Sequence, residues 1–399
     1  WNTIGITFNA FTSLFFLVIV NRVNGIDEAG IFSYTYSLAC LFYIMALYYN
    51  RTYQVADVEN EYSNNQYITN RLVTSIFTLL VVIFFSIISN FSILKVKILM
   101  FILLFRILEA ISDCFHGFIQ KKDKLYYVGQ SLFWKAIIGI ILFSFVDYMT
   151  KSIILSLLML IVVNIIGLIV DIKKYKSLYH QKFSFIFDKS ISLFKITFPV
   201  FVFSFLAIYL NNCQKYVMEY ILDEKYQTIL GIIVMPATML SLCGQYLINP
   251  YINELSCDYY NKEYEKFRKT FYKIGLEFIL LGIIILILAF LLGIPILNII
   301  YSIDLDPYKI SFLIIIIGAI LYALGNIISS CLTILRKNKQ QLYIYTISSA
   351  FSTIISWFLI RKYDIEGASY AYIITTLVHF ILSFSLLKTC LNKKIRSNL

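Results

Sequence analysis

Five polar side chains recur along an otherwise apolar stretch of the chain: Arg106, Glu109, Asp113, His116 and Gln120. At 100° per residue they fall within an arc of about 80°, so a helix would carry them on one face. Such a face can hold an anion, pass a proton, or neutralise itself through i,i+3 pairs such as Arg106 with Glu109. Further cations stand in or beside neighbouring apolar stretches, namely Arg22, Arg51, Lys135 and Lys195, and Glu277 is an acid in a later one. Together Arg22, Arg51, Arg106, Lys135 and Lys195 outnumber Glu109, Asp113 and Glu277. A cationic interior suits an anionic substrate, and arginine can grip phosphate through two parallel hydrogen bonds. The plainer reading is a self-neutralising stripe, with Arg22 and Lys195 snorkelling to a boundary and Glu277 close to an interface. Tyr322, Asn326, Ser329, Ser330 and Thr333 form a softer stripe that suits helix-to-helix hydrogen bonding as well as sugar binding.

The elements that must position these groups are membrane-spanning helices. The 399 residues are 59% hydrophobic and 14% charged, far from the soluble norm of about a quarter charged. Read with a window of about 19 residues, the sequence predicts about twelve spans. The expected fold class is therefore an all-α polytopic membrane protein. Most lysines and arginines fall in alternate gaps, at 50–71, 120–130, 171–190, 252–271, 335–342 and the C-terminal tail. Basic connections stay on the cytoplasmic side, which places both termini inside. The net charge of +11 is thus a topology signal, and no nucleic-acid partner is expected. Tyr48, Tyr49, Tyr126 and Tyr127 are placed at headgroup level. The chain opens on Trp1, which points to a lost N-terminal stretch, and Ile4 to Val20 lacks the small-residue cleavage site of a signal peptide.

The basic gap from Asp171 to Ser190 divides the spans six and six. The expected organisation is an N-terminal lobe at 1–180, a cytoplasmic linker at 181–190 and a C-terminal lobe at 191–399, the usual outline of a secondary transporter. No gap is long enough for a folded domain, and no GxxxxGK[ST] is present. Seven cysteines without CxxC spacing and three histidines suggest buried apolar thiols and neither a metal nor a cofactor. A transporter rather than an enzyme is expected.

Several stretches resemble a known family. Asn21-Arg22-Val23-Asn24-Gly25 followed by Glu28-Ala29-Gly30-Ile31-Phe32-Ser33 is similar to the end of helix one and the start of helix two in Wzx-type oligosaccharide flippases, and Arg51-Thr52-Tyr53-Gln54-Val55-Ala56-Asp57-Val58 to the loop after helix two in their capsule members. These belong to the MOP (multidrug/oligosaccharidyl-lipid/polysaccharide) superfamily. Pro199 resembles the proline that opens their seventh helix. Asn249-Pro250, Tyr264-Glu265-Lys266-Phe267, Gly293-Ile294-Pro295-Ile296-Leu297 with Ile300-Tyr301 and Asp304-Leu305, and Leu332-Thr333 with Arg336-Lys337 complete an ordered set across the chain. One departure is Gln214-Lys215, where the family often has an acid followed by a cation.

The resemblance implies a two-lobed, V-shaped bundle with alternating access in the cytoplasmic membrane of a bacterium. It implies a substrate of undecaprenyl-pyrophosphate carrying a short oligosaccharide for capsule or O-antigen, with membrane lipids, a polysaccharide polymerase and glycosyltransferases as partners. Twelve spans rather than fourteen disfavour the lipid II flippase subgroup. A cation-coupled drug exporter of the same superfamily would need an acid-dominated pocket, and a membrane polymerase would need a large outer loop.

Overall fold

The computed structural model describes residues 1–48, 50–57, 59–180 and 183–396, with the side chains of Asn50 and Thr52 left aside. Tyr49, Val58 and Lys182, read above as interface, motif and linker residues, lie outside the described residues, as does the end of the C-terminal tail. Regular structure among the described residues is helical throughout. Among the described residues ten helices are long and apolar enough to cross a membrane. The last of these leaves helical geometry at Asp364 (φ 50°, ψ −127°) and is two spans joined by a kink. One further helix, Ile93–Lys121, has the length to cross (29 residues at 1.5 Å each) but carries the polar face described above. The expected twelve spans and all-α membrane fold follow.

The spans are α1 (Asn2–Asn24), α2 (Ile26–Leu47), α3 (Asn64–Ile88), α4 (Ile93–Lys121), α5 (Leu125–Thr150), α6 (Ile153–Tyr179), α7 (Ser190–Met218), α8 (Glu224–Ile248), α9 (Tyr264–Leu288), α10 (Lys309–Ile334), α11 (338–363) and α12 (365–396). Short helices Asn50–Ala56, Ile252–Tyr260 and Ile294–Tyr301 connect or extend them, the last through a π-helical turn at Ala289–Gly293. The chain forms two compact units, Trp1–Ile208 and Tyr209–Leu399, and α7 runs from the first into the second. Pro199 lies well inside α7 rather than at its start. A proline there removes one backbone hydrogen bond of the helix.

Within the first unit α1 packs on α5 and α6 on α4. Glycines allow the α1–α5 approach: a Cβ on Gly5 would lie 2.1 Å from the Gly129 carbonyl oxygen. Small residues at such crossings are how membrane helices gain contact where no hydrophobic force draws them together. The α1–α2 turn is Gly25 at φ 97°, a backbone region that other L-residues rarely enter. Outward faces carry residues such as Phe77, Leu80, Phe84 and Ile87 in the open. That surface is stable only in lipid.

Polar contacts hold the connections. Asn24 Nδ2 donates to Asp147 Oδ2 at 2.7 Å, tying the end of α1 to α5. In the connection before α3, Asp57 accepts from the backbone N–H groups of Glu61 and Tyr62 and from the Tyr67 hydroxyl. Burial pushes the Asp57 carboxyl up, but those donors, with Lys121, hold it below its ordinary value. Ser63 and Gln66 form a reciprocal capping box that starts α3.

In the second unit α10, α11 and α12 meet along hydroxyls: Ser329 with Tyr345 at 3.3 Å, Thr375 with Ser352 at 3.3 Å, and Tyr209 of α7 with Thr353 at 2.7 Å. The stripe of Tyr322 to Thr333 takes part in this seam, since Tyr322 and Ser329 are buried, in keeping with its packing role. The cysteines are free; Cys114, Cys213 and Cys331 are buried, whereas Cys257 is exposed on the connection between α8 and α9. On the sidedness expected from the sequence, the connection that carries Cys257 faces the cytoplasm. A membrane-impermeant maleimide should therefore leave a variant retaining only Cys257 unlabelled in intact cells and label it in inside-out vesicles. Labelling in intact cells would contradict this sidedness.

Candidate functional site

The polar face of α4 is met by three sets of partners. Nearest the middle of the helix, Arg106 pairs with Glu109 one turn on and donates to the Tyr36 hydroxyl of α2. Its guanidinium also lies 4.8 Å from the Tyr36 ring centroid, 5.6 Å from Tyr43 and 5.1 Å from Phe105. An aromatic cage of this kind favours a desolvated cation through the ring quadrupoles. The expected i,i+3 pair is present, but the rings around it were not foreseen.

One and two turns on, Asp113 holds two arginines. Arg51 donates from Nη1 to Asp113 Oδ1 at 2.7 Å, and from Nη2 to Gln120 Oε1 at 2.9 Å. Arg71 of α3 donates to Asp113 Oδ2 at 3.2 Å and to the Ala46 carbonyl at 3.0 Å. Arg71 is almost wholly buried, whereas the Arg51 side chain keeps 26% of its surface open. Arg51 owes its place to the short helix Asn50–Ala56, which lies across α4. Gln54 of that helix donates to the Cys114 carbonyl, and a Cβ at Gly117 would come within 2.7 Å of the Gln54 Oε1 atom. Glycine at 117 therefore lets the short helix seat.

The third set faces α5 and α6. Asp171 is fully buried and receives the Lys135 ammonium at 2.6 Å, His116 Nε2 at 3.0 Å and the Ser131 hydroxyl at 2.8 Å, with Ser112 also in contact. Lys135 reaches Asp171 by laying its stem across Gly167, where a Cβ would meet it at 2.2 Å. The sequence placed Asp171 at the start of the basic gap. Instead α6 continues to Tyr179, with Asp171 and Tyr175 on its buried face. Asn164, Gly167 and Asp171 recur at helical spacing through an apolar span, the signal that would have found it. Arg71 was likewise read as a gap residue, though Tyr67, Asn70, Arg71, Thr74 and Thr78 form a buried polar face along α3.

The remaining candidates lie elsewhere. Arg22 is exposed at the end of α1, at the other end of α2 from Arg51, and Lys195 is exposed on α7. Glu277 belongs to the second unit, half-exposed, 4.0 Å from Lys273 and 3.5 Å from the Tyr251 hydroxyl. The structure thus gathers Arg51, Arg106, Lys135, Glu109 and Asp113 around α4, adds Arg71 and Asp171, and leaves out Arg22, Lys195 and Glu277. The cationic excess is smaller than the sequence suggested, with four cations facing three carboxylates. Gln120 also lines a cavity of about 1140 Å³ at the lysine-rich end of the first unit, whose walls carry Lys121, Lys122 and Lys189 against Glu61, Asp123 and Asp188.

Losing one member of a buried ion pair costs about 3–5 kcal/mol, because its partner stays charged and unpaired. Asp171→Asn should therefore destabilise the protein by that order, read as a fall in its thermal midpoint in detergent. Lys135→Met with Asp171→Leu should recover most of the loss. A double variant as unstable as the single one would show that the pair is not what matters.

No protein-family model matches the chain. A capsular polysaccharide biosynthesis protein, CapF, of Staphylococcus aureus is 24% identical over 383 residues, covering 94% of each chain. Among solved structures, the lipid II flippase MurJ in an inward closed conformation matches with a TM-score of 0.74 at 16% identity, over 98% of this chain and 89% of its own. An inward-facing multidrug resistance MATE family transporter of the MOP superfamily matches with a TM-score of 0.73 at 9% identity, over the whole of both chains. These likenesses bear out the resemblance read from the sequence: the chain has the fold of the MOP-superfamily transporters and is similar, nearly end to end, to a capsule biosynthesis protein.

Proposed function

We propose that this protein is a flippase. It carries undecaprenyl-pyrophosphate-linked oligosaccharide units from the inner to the outer leaflet of a bacterial cytoplasmic membrane, for capsule or a related surface polysaccharide. The need is physical. A sugar pyrophosphate cannot enter bare hydrocarbon, because its charges and hydroxyls would shed water without replacement.

The observation that carries this reading is the placement of Arg51. It is fixed between Asp113 and Gln120 yet partly open, and Gln120 is also part of the wall of the large polar cavity. A guanidinium held in this way can offer its open edge to a phosphate without first being ordered. Arg106 and Lys135 take supporting roles, since each already faces a carboxylate at close range. The head group is exposed to the two faces of the membrane in turn as one lobe, 1–180, rocks against the other, 191–399, about the linker at 181–190, while the prenyl tail stays in lipid. Both termini lie on the cytoplasmic side. Glycosyltransferases supply the substrate, a polymerase consumes it, and the protein itself makes and breaks no covalent bond.

The likeness to a capsule biosynthesis protein supports this reading over a drug exporter. So does the state of the acids around α4: Glu109, Asp113 and Asp171 are each engaged by a cation, which leaves little negative charge for a cationic drug. In a strain lacking the chromosomal copy, Arg51→Ala should reduce surface polysaccharide about tenfold or more, the effect of losing one charge-assisted hydrogen bond of about 1.5–3 kcal/mol. Lipid-linked units should accumulate at the inner leaflet, with the variant present in the membrane at normal levels. Unchanged polysaccharide would remove Arg51 from the path, and unpolymerised units already at the outer leaflet would indicate a polymerase.

A further inference from the structure

A second feature lies away from the α4 face, at the lysine-rich end of the second unit. The first turns of α9 and the last turns of α12 leave a groove of about 510 Å³ between them. Its floor is apolar, with Phe271 and Phe384 rings 6.5 Å apart and Leu387 beside them. Its rim carries Arg268, Lys269 and Lys388. Among the described residues no carboxylate lines it. Glu265, one turn before Arg268, takes that guanidinium at 2.6 Å, while Lys269 and Lys388 on the same rim are exposed. Tyr272, half exposed, marks the level at which amphipathic rings sit between acyl chain and headgroup.

We propose that this groove binds one acidic glycerophospholipid of the adjacent leaflet, its phosphodiester against Lys269, Lys388 and Arg268 and an acyl chain along Phe271, Phe384 and Leu387. The chemistry selects this occupant in two steps. Cations above an apolar wall match a phosphate joined to a hydrocarbon chain, and basic pockets between membrane helices are a recurrent form of headgroup recognition. A lipid-linked glycan fits less well, because among the described residues Asn392 is the one amide on the lining and no serine or threonine is present there. A zwitterionic lipid gains less, since its own ammonium would meet the cationic rim. The lipid fills a gap where α9 and α12 touch only lightly and braces the start of α9, the helix that ends in the π-helical turn at Ala289–Gly293. The site is independent of the flippase reading, because it needs no transported substrate.

Native mass spectrometry of the full-length protein, titrated with phosphatidylglycerol, phosphatidylcholine or inorganic phosphate, tests the proposal. The intact protein should retain one phosphatidylglycerol in preference to phosphatidylcholine and should not retain inorganic phosphate. Arg268→Gln with Lys269→Gln and Lys388→Gln should weaken that retention by about fivefold or more, since each interfacial cation contributes about a fivefold effect. Lys269→Arg with Lys388→Arg should keep it, and so should Lys337→Gln with Lys339→Gln, which removes charge from another basic connection. Equal loss in the groove and control variants would reduce the site to general attraction by a basic surface. Equal retention of both lipids would reduce it to an apolar crevice, and retention of inorganic phosphate alone would make it an anion site; each overturns the proposal. A groove variant whose thermal midpoint is unchanged, and unresponsive to phosphatidylglycerol where the parent is stabilised, gives the same answer without mass spectrometry.

Discussion

A charge inside hydrocarbon must be answered by an opposite charge or by water, and the first unit of this protein is arranged around that demand. Asp171 has no exposed surface, and its position on α6 dictates where Lys135 of α5 and His116 of α4 must reach. Asp113 performs the same service between the short helix Asn50–Ala56, α3 and α4 by receiving both Arg51 and Arg71. Helices that share no hydrophobic driving force in lipid are joined here by ion pairs that cost several kcal/mol to break. Small residues serve the same contacts: Gly167 clears the path of the lysine stem and Gly117 the seat of Gln54.

This arrangement separates cations that are consumed by structure from one that is held but still open. Arg71 and Lys135 are nearly enclosed, and Arg106 is wrapped by rings. Arg51 has the same carboxylate partner as Arg71 but sits on the short connecting helix, and its second partner, Gln120, lines the large cavity. Order and access usually oppose each other in a membrane, because an accessible charge is a mobile one. The shared Asp113 and the Gln120 amide reconcile them here.

Much of this was legible in the sequence. Span positions follow from hydropathy alone, and the charged face of α4 stood out because an amphipathic pattern has no business in a helix surrounded by lipid unless another polar surface meets it. Its internal pair, Arg106 with Glu109, follows from i,i+3 spacing. The partners brought by other helices were not legible. Asp171 stands beside Lys173 and Lys174 and so reads as part of a basic connection, yet helical geometry turns it inward while the lysines remain at the surface. Arg71 was masked in the same way by the polar run before α3. Arg22 and Lys195 show the converse: a cation at the edge of an apolar stretch is indistinguishable in sequence whether it turns into the bundle or out of it. Pro199 resembles a proline that opens the seventh helix of the family, whereas here α7 already begins at Ser190 and carries the proline inside it.

The most direct test of the account is translocation by the purified protein in vesicles of defined composition, with a fluorescent lipid-linked oligosaccharide whose head group can be quenched from outside. The account predicts that the parent protein equilibrates the label between leaflets, that Arg51→Ala does so far more slowly while remaining folded, and that a neutral-headed prenyl glycoside is moved poorly by both. Vesicles in which the parent leaves the label in its original leaflet, or in which charged and neutral head groups cross alike, would contradict it.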